Sequence, residues 1–197
     1  MIQTNKVTID IENKITTNTV LFFDMDGTLI DTNLANYLAY KKAIYSITKC
    51  NLDIKYNPHK RFNRTHLKKI IPYFSESVYE EIITKKEECY NEFLPEIKLI
   101  PNCTDILFKY SQINKTILVT NCRKDRAIAT LTYFGLIDKF DSLFYREFGD
   151  NDKKINKFLN AISKLDISPN FVIAFENEEN EIKDAQIAGI QIIIKST

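Results

Sequence analysis

The stretch Val20–Asp31, VLFFDMDGTLID, decides how the rest of the chain is read. Four apolar residues run directly into two carboxylates, Asp24 and Asp26, one residue apart, followed by Gly27, Thr28 and a third acid, Asp31. A continuous apolar run of this kind predicts a fully buried strand of a parallel sheet. Acids at the end of such a strand are costly unless paired or bound to a cation. The carboxyl ends of parallel strands are also where open sheets bind their ligands. Gly27 lets the backbone turn immediately after the pair.

Working outward, "NLANYLAYKKAIYSITKC" (33–50) carries Leu34, Leu38, Ala39, Ile44 and Ile47 at near-helical spacing, with Asp31, Thr32 or Asn33 available as a cap. "THLKKIIPYF" predicts a short helix stopped near Pro72, and "SESVYEEIITKKEECYNEFL" a third helix ended by Pro95. Tyr37, Tyr40 and Tyr45 read as the core of this helical segment. From Pro101 helix and strand alternate: helix "PNCTDILFKYSQ", strand "KTILVTN", helix "RKDRAIATLTYFGL", strand "DSLFYRE", helix "KKINKFLNAISKLD", strand "NFVIAFE", helix "NEIKDAQIAG" and strand "IQIIIK". Ile155, Phe158, Leu159, Ile162 and Leu165 share one face of the helix before "NFVIAFE". This rhythm predicts an α/β fold, a parallel sheet with helices on both faces. Residues 1–33 and 99–197 form its core and 34–98 a helical insert. "KVTIDI", alternating with period two, suggests a short edge strand ahead of it.

The 197 residues are 44% hydrophobic and 27% charged, which fits one domain, or one domain with an insertion, around a real core. A net charge of +1 gives no broad basic field, so a nucleic-acid module is disfavoured. Cys50, Cys89, Cys103 and Cys122 form no Cys-x-x-Cys pair and have no His at metal spacing; they read as buried or half-buried thiols in a reducing compartment. "MIQTNKVTIDIENK" lacks the apolar stretch of a signal peptide, and no run of 18 apolar residues occurs. The expectation is a cytoplasmic protein with no membrane partner.

Four polar clusters fall at predicted strand ends: Asp24–Thr28, Thr120–Asn121, Lys153–Lys154 and Glu176–Asn177. Their types suit one chemistry. A carboxylate can attack phosphorus, and a second carboxyl can protonate the leaving group and later activate water. Mg2+ takes one or two carboxylates plus phosphate oxygens and water. A threonine hydroxyl and backbone N–H groups at a helix start can hold phosphate. In "HKRFNRTHLKK" (59–69) the bland reading is a solvated charged face, and the sharper one is that Arg64 meets a substrate's second polar group. Arg123 could face the cleft or cap its helix.

These residues carry a resemblance. "DMDGTLID" looks like motif I of the haloacid dehalogenase superfamily, "LVTN" its second motif, "KKINKF" its third and "VIAFENEENEIKDAQIAGI" its fourth. The helical insert sits where that superfamily carries its C1 cap. The resemblance implies a Rossmann-like core and a Mg2+-dependent phosphatase of a small phosphorylated metabolite, working through a phospho-aspartate. It implies Asp24 as nucleophile and metal ligand, and Asp26 as general acid/base whose carbonyl also reaches the metal. Thr120 and Asn121 would bind the phosphoryl group. Lys154 would be the motif III lysine, with Lys153 as fallback, and Glu176 and Asn177 would lie at the metal. Family members commonly have an Asp where Asn177 stands and a Pro where Ile155 stands. Glu181 matches the place of a second acid in some members. Asn177 therefore keeps open a catalytically degenerate binding protein, and a phosphomutase of the same family is the other alternative.

Overall fold

The computed structural model describes residues 11–149 and 154–196. Residues 6–10 of the expected edge strand lie outside the described residues. The described chain falls into two compact units: residues up to Ile30 together with those from Leu99 onward, and Asp31–Lys98.

The first unit is built on a five-stranded sheet of β1 (Val20–Phe23), β4 (Lys115–Val119), β5 (Ser142–Phe144), β6 (Val172–Glu176) and β7 (Ile192–Lys195). The strand order is β5-β4-β1-β6-β7. Every pairing is parallel, so the sheet is the α/β arrangement expected from the alternation. The apolar run of β1 is explained by its central place, because both of its faces are covered. On one face Val20, Phe22, Ile117, Val119, Val172 and Ala174 pack with Phe158 and Ala161 of α6 (Lys157–Leu165) and Ala185 of α7 (Glu179–Ile187). On the other face Leu21, Phe23, Leu118 and Phe175 are fully buried, with the Phe23 and Phe175 rings stacked at 4.5 Å. Burying each such side chain is worth roughly 1.5–3 kcal/mol. Helices α4 (Pro101–Tyr110) and α5 (Lys124–Tyr133) complete the unit. A separate two-stranded sheet pairs β2 (Ile30–Asp31) with β3 (Lys98–Leu99).

The second unit holds α1 (Asn33–Thr48), α2 (Arg64–Ile70) and α3 (Glu76–Cys89). Among the three cap candidates for α1, Asp31 accepts the Asn33 N–H at 3.0 Å, while the Thr32 side chain makes no capping bond. Asn63 and Ser75 cap α2 and α3. Helix α3 does not run to Pro95: its backbone tightens into a 3-10 turn over Tyr90–Glu96, which accommodates the proline. Tyr37, Tyr40, Ile44, Phe62, Leu67, Tyr79 and Ile82 form the core. Tyr45 does not join them and is 57% exposed, because it falls on the outer face of α1. Leu159 likewise departs from its expected face of α6, at 44% exposed, because Phe158, Ala161, Ile162 and Leu165 make up the face that packs on the sheet. Cys89, Cys103 and Cys122 are buried, and burial pushes the Cys103 thiol up to about 12; Cys50 is exposed. No helix among the described residues is long and apolar enough to cross a membrane.

Candidate active site

The parallel register brings the motifs together. Phe23 lies opposite both Leu118 and Phe175, so Asp24 follows β1 at the level of Glu176 in β6. The Asp24 N–H donates to the Phe175 carbonyl at 3.0 Å. Both carboxylates are out of water, Asp24 at 6% exposure and Glu176 at 0%. Their partner is Lys157. Its ammonium donates to Asp24 Oδ1 at 2.8 Å and to Glu176 Oε2 at 2.6 Å. Burial alone would lower the Lys157 pKa, but Asp24, Glu176 and Glu181 outweigh it and hold it raised. Glu176 is raised to about 7, by burial first and by the Asp24 charge second, with Lys157 pulling the other way. Glu176 Oε1 accepts the backbone N–H groups of Asn177 at 2.8 Å and Glu178 at 3.1 Å.

Motif I turns at Gly27, whose φ is +86° and whose N–H donates to the Ile30 carbonyl at 2.7 Å. The positive φ favours glycine, and a Cβ there would lie 2.3 Å from Asn177 Nδ2, so the Asn177 side chain would have to shift to admit one. Asp26 is buried, and its Oδ2 accepts from Arg126 Nη2 at 3.1 Å. The Asn177 amide faces the Asp26 carbonyl and Glu176 Oε1; oriented to donate, its nitrogen reaches them at 3.1 and 3.2 Å. Turned the other way, the amide would present its oxygen on the same side. Asp24, the Asp26 carbonyl, Glu176 and Asn177 are therefore the oxygen donors that could hold a hard metal ion. No group of three His, Cys, Asp or Glu side chains suited to a metal occurs among the described residues. A cation here would accordingly lean on the carbonyl and the amide as well as on two carboxylates.

Thr120 follows β4 on the same rim and is 1% exposed. Its hydroxyl accepts the Cys122 N–H at 3.2 Å. Asn121 Nδ2 donates to Glu181 Oε2 at 2.6 Å, and Asn121 Oδ1 is a buried acceptor with no protein partner among the described residues. Glu181 also takes Lys154 at 2.5 Å and lies 3.6 Å from Lys157. Burial opposes its ionisation, but Lys157 and the Lys154 hydrogen bond win, and its pKa is lowered.

The structure thus brings Asp24, Asp26, Thr120, Asn121, Glu176 and Asn177 to one rim, but it corrects the lysine. Lys154 is 42% exposed and pairs with Glu181; Lys157 is the lysine on Asp24. Lys153 lies outside the described residues. The reason is the helix start: the Asn156 side chain accepts the N–H groups of Phe158 and Leu159, so α6 begins at Lys157. Asn156 was the signal, as a favoured N-cap residue just before an apolar pair. Arg126 was also missed, and nothing in the linear motif marks it. Arg64 belongs to the helical unit, where Glu80 and Glu76 hold its guanidinium. Arg123 is the residue preceding α5 and pairs with Asp125 at 3.5 Å.

Comparison with known proteins identifies the family. The model of the family described as haloacid dehalogenase-like hydrolase matches residues 21–195. The chain belongs to the haloacid dehalogenase-like hydrolase family. This hydrolase is 25% identical over 187 residues to the phosphorylated carbohydrates phosphatase of Thermotoga maritima, covering 88% of this chain and 82% of that protein. Its fold is shared with a haloacid dehalogenase-like family hydrolase of Streptococcus pneumoniae, at TM-score 0.70 and 19% identity over 90% of this chain and 84% of that one. It is also shared with CbbY of Rhodobacter sphaeroides in complex with phosphate, at TM-score 0.69 and 18% identity over 90% and 86%.

Proposed function

We propose that this hydrolase is a phosphoric monoester hydrolase that forms a phospho-aspartate on Asp24. The observation that carries the reading is the pairing of buried Asp24 with Lys157 beside buried Glu176 at the strand rim. An Asp24 carboxylate oxygen attacks the phosphorus and the bond to the ester oxygen breaks. Asp26 gives its proton to that leaving oxygen. A water molecule then attacks the aspartyl phosphate, Asp26 takes the water's proton, inorganic phosphate leaves and Asp24 is regenerated. Lys157 balances charge on the nucleophile, and the Thr120 hydroxyl and Asn121 hold the phosphoryl group.

Asp24, the Asp26 carbonyl, Glu176 and Asn177 would hold Mg2+, which would supply charge neutralisation for the phosphoryl oxygens. A small phosphorylated carbohydrate is the first substrate class to test. The similarity to a protein named as a phosphatase of phosphorylated carbohydrates supports it.

A second reading is a binding protein without turnover, favoured by one observation: the Asn177 amide can satisfy the Asp26 carbonyl and Glu176 by itself, without a cation. Release of phosphate from 4-nitrophenyl phosphate, with Mg2+ and with EDTA, separates the two. The enzyme reading expects turnover that EDTA removes and that Asp24→Asn abolishes. A folded wild type that cleaves neither the aryl ester nor a panel of sugar phosphates leaves only the binder.

A further inference from the structure

We propose that Arg126 is the positioning residue of Asp26, and that it fits the enzyme to phosphate esters whose leaving group needs a proton. The inference rests on the phosphatase reading above. Arg126 projects from the first turn of α5 and is pinned at two nitrogens. Nη2 donates to Asp26 Oδ2 at 3.1 Å and Nε donates to Cys122 Sγ at 2.9 Å. Its side chain is 13% exposed and that of Asp26 6%, whereas Arg123, three residues earlier, is 48% exposed. Cys122 in turn donates its N–H to the Thr120 hydroxyl. The loop after β4 that carries Thr120 therefore also anchors the guanidinium that meets Asp26.

A guanidinium has donors and no acceptor, so an oxygen that accepts from it is not the oxygen carrying a proton. With Oδ2 on Arg126, the proton exchanged with the leaving group resides on Oδ1. A carboxyl terminus rotates in a broad two-fold well. The planar fork of arginine, fixed at Nε as well as at Nη2, removes that freedom where a lysine's single ammonium would not. Asp26 then presents the same oxygen in every turnover. The chemical consequence falls on the leaving group. An alkoxide departing from a sugar or glycerol phosphate must be protonated as the bond to phosphorus breaks. A dinitrophenolate is a stable anion and departs without help.

The test compares kcat/KM for glycerol phosphate and for 2,4-dinitrophenyl phosphate in wild type, Arg126→Gln, Asp26→Asn and the double variant. This constant reports the steps up to formation of the aspartyl phosphate. Arg126→Gln is expected to lose about 30-fold or more on glycerol phosphate, within the range of general acid catalysis, and no more than about 3-fold on the dinitrophenyl ester. Adding Arg126→Gln to Asp26→Asn is expected to cost nothing further. Equal losses on the two esters, or additive losses in the double variant, overturn the inference while leaving the phosphatase reading intact, provided Asp26→Asn alone keeps its leaving-group dependence. A folded wild type inactive on both esters and on the panel of sugar phosphates overturns both readings, and an Asp26→Asn without that dependence overturns the inference together with the acid/base role of Asp26. If Arg126→Gln does not fold, Arg126→Met in its place is held to the same comparison.

Discussion

Lys157 carries two buried carboxylates on one ammonium, a place that the sequence motif assigned to Lys154, with Lys153 as fallback. Nζ lies 2.8 Å from Asp24 and 2.6 Å from Glu176. Removing one partner of a buried pair leaves uncompensated charge, at a cost of about 3–5 kcal/mol. Lys157→Met is therefore expected to lower unfolding free energy by that amount in urea titrations. It is also expected to lower kcat by roughly 100-fold or more, since the charge on the nucleophile loses its partner. Lys154→Ala removes only a partly exposed pair and is expected to cost less than about 1 kcal/mol and to leave kcat within a few-fold. The reverse ranking of the two variants would return the role to Lys154. Residue type could not separate them, because charge and chain length are identical. What separates them is where the helix begins.

At the scale of elements, that beginning is set by Asn156. Its Oδ1 takes the N–H groups of Phe158 and Leu159, and its Nδ2 donates to the Asp184 carbonyl. Asn156→Ala is expected to cost about 1 kcal/mol of stability as a lost cap. It is expected to cost more in kcat than that loss implies, because Lys157 is the first residue of α6; thermal melts and turnover on the same preparation check this. Glu181, in the first turn of α7, ties the loop after β4 to Lys154 and Lys157. Its folded pKa is depressed, so its contribution is present above the ordinary Glu value and lost as pH falls through the folded one. The stability gap between wild type and Glu181→Gln is expected to be constant from pH 6 to pH 8 and to shrink below about pH 4. A gap that widens on acidification would contradict the sign. The elements themselves were legible. The apolar run of β1 and the strand–helix alternation led to the observed sheet. The misjudged boundaries, at the start of α6 and at the end of α3, are both places where a local hydrogen-bonding choice outvoted periodicity.

For the whole molecule, the two compact units have separate cores and separate sensitivities. In the sheet unit Phe22 is fully buried at the centre of β1. Phe22→Ala is expected to destabilise by about 3–5 kcal/mol, read as a lower urea midpoint. In the helical unit Lys86 is buried with its ammonium 4.6 Å from the Tyr90 ring, 5.6 Å from the Tyr40 ring and 3.2 Å from Glu87. Lys86→Met removes the buried cation and leaves Glu87, 19% exposed, without it, so it is expected to destabilise by about 3 kcal/mol, read as a lower urea midpoint. Lys86→Ala, which also leaves a cavity, is expected to lose more than Lys86→Met.

The sequence alone determined the order of strands and helices, the family and the acids at the end of β1, because hydrophobic periodicity and a short dense motif are local signals. Only the tertiary structure decided that Lys157 answers Asp24, that Arg126 meets Asp26 and that Arg64 is held by Glu76 and Glu80. Those pairings join residues far apart in the chain, or turn on a single helical start. A charge finds its partner through burial and distance, and neither is written in linear spacing.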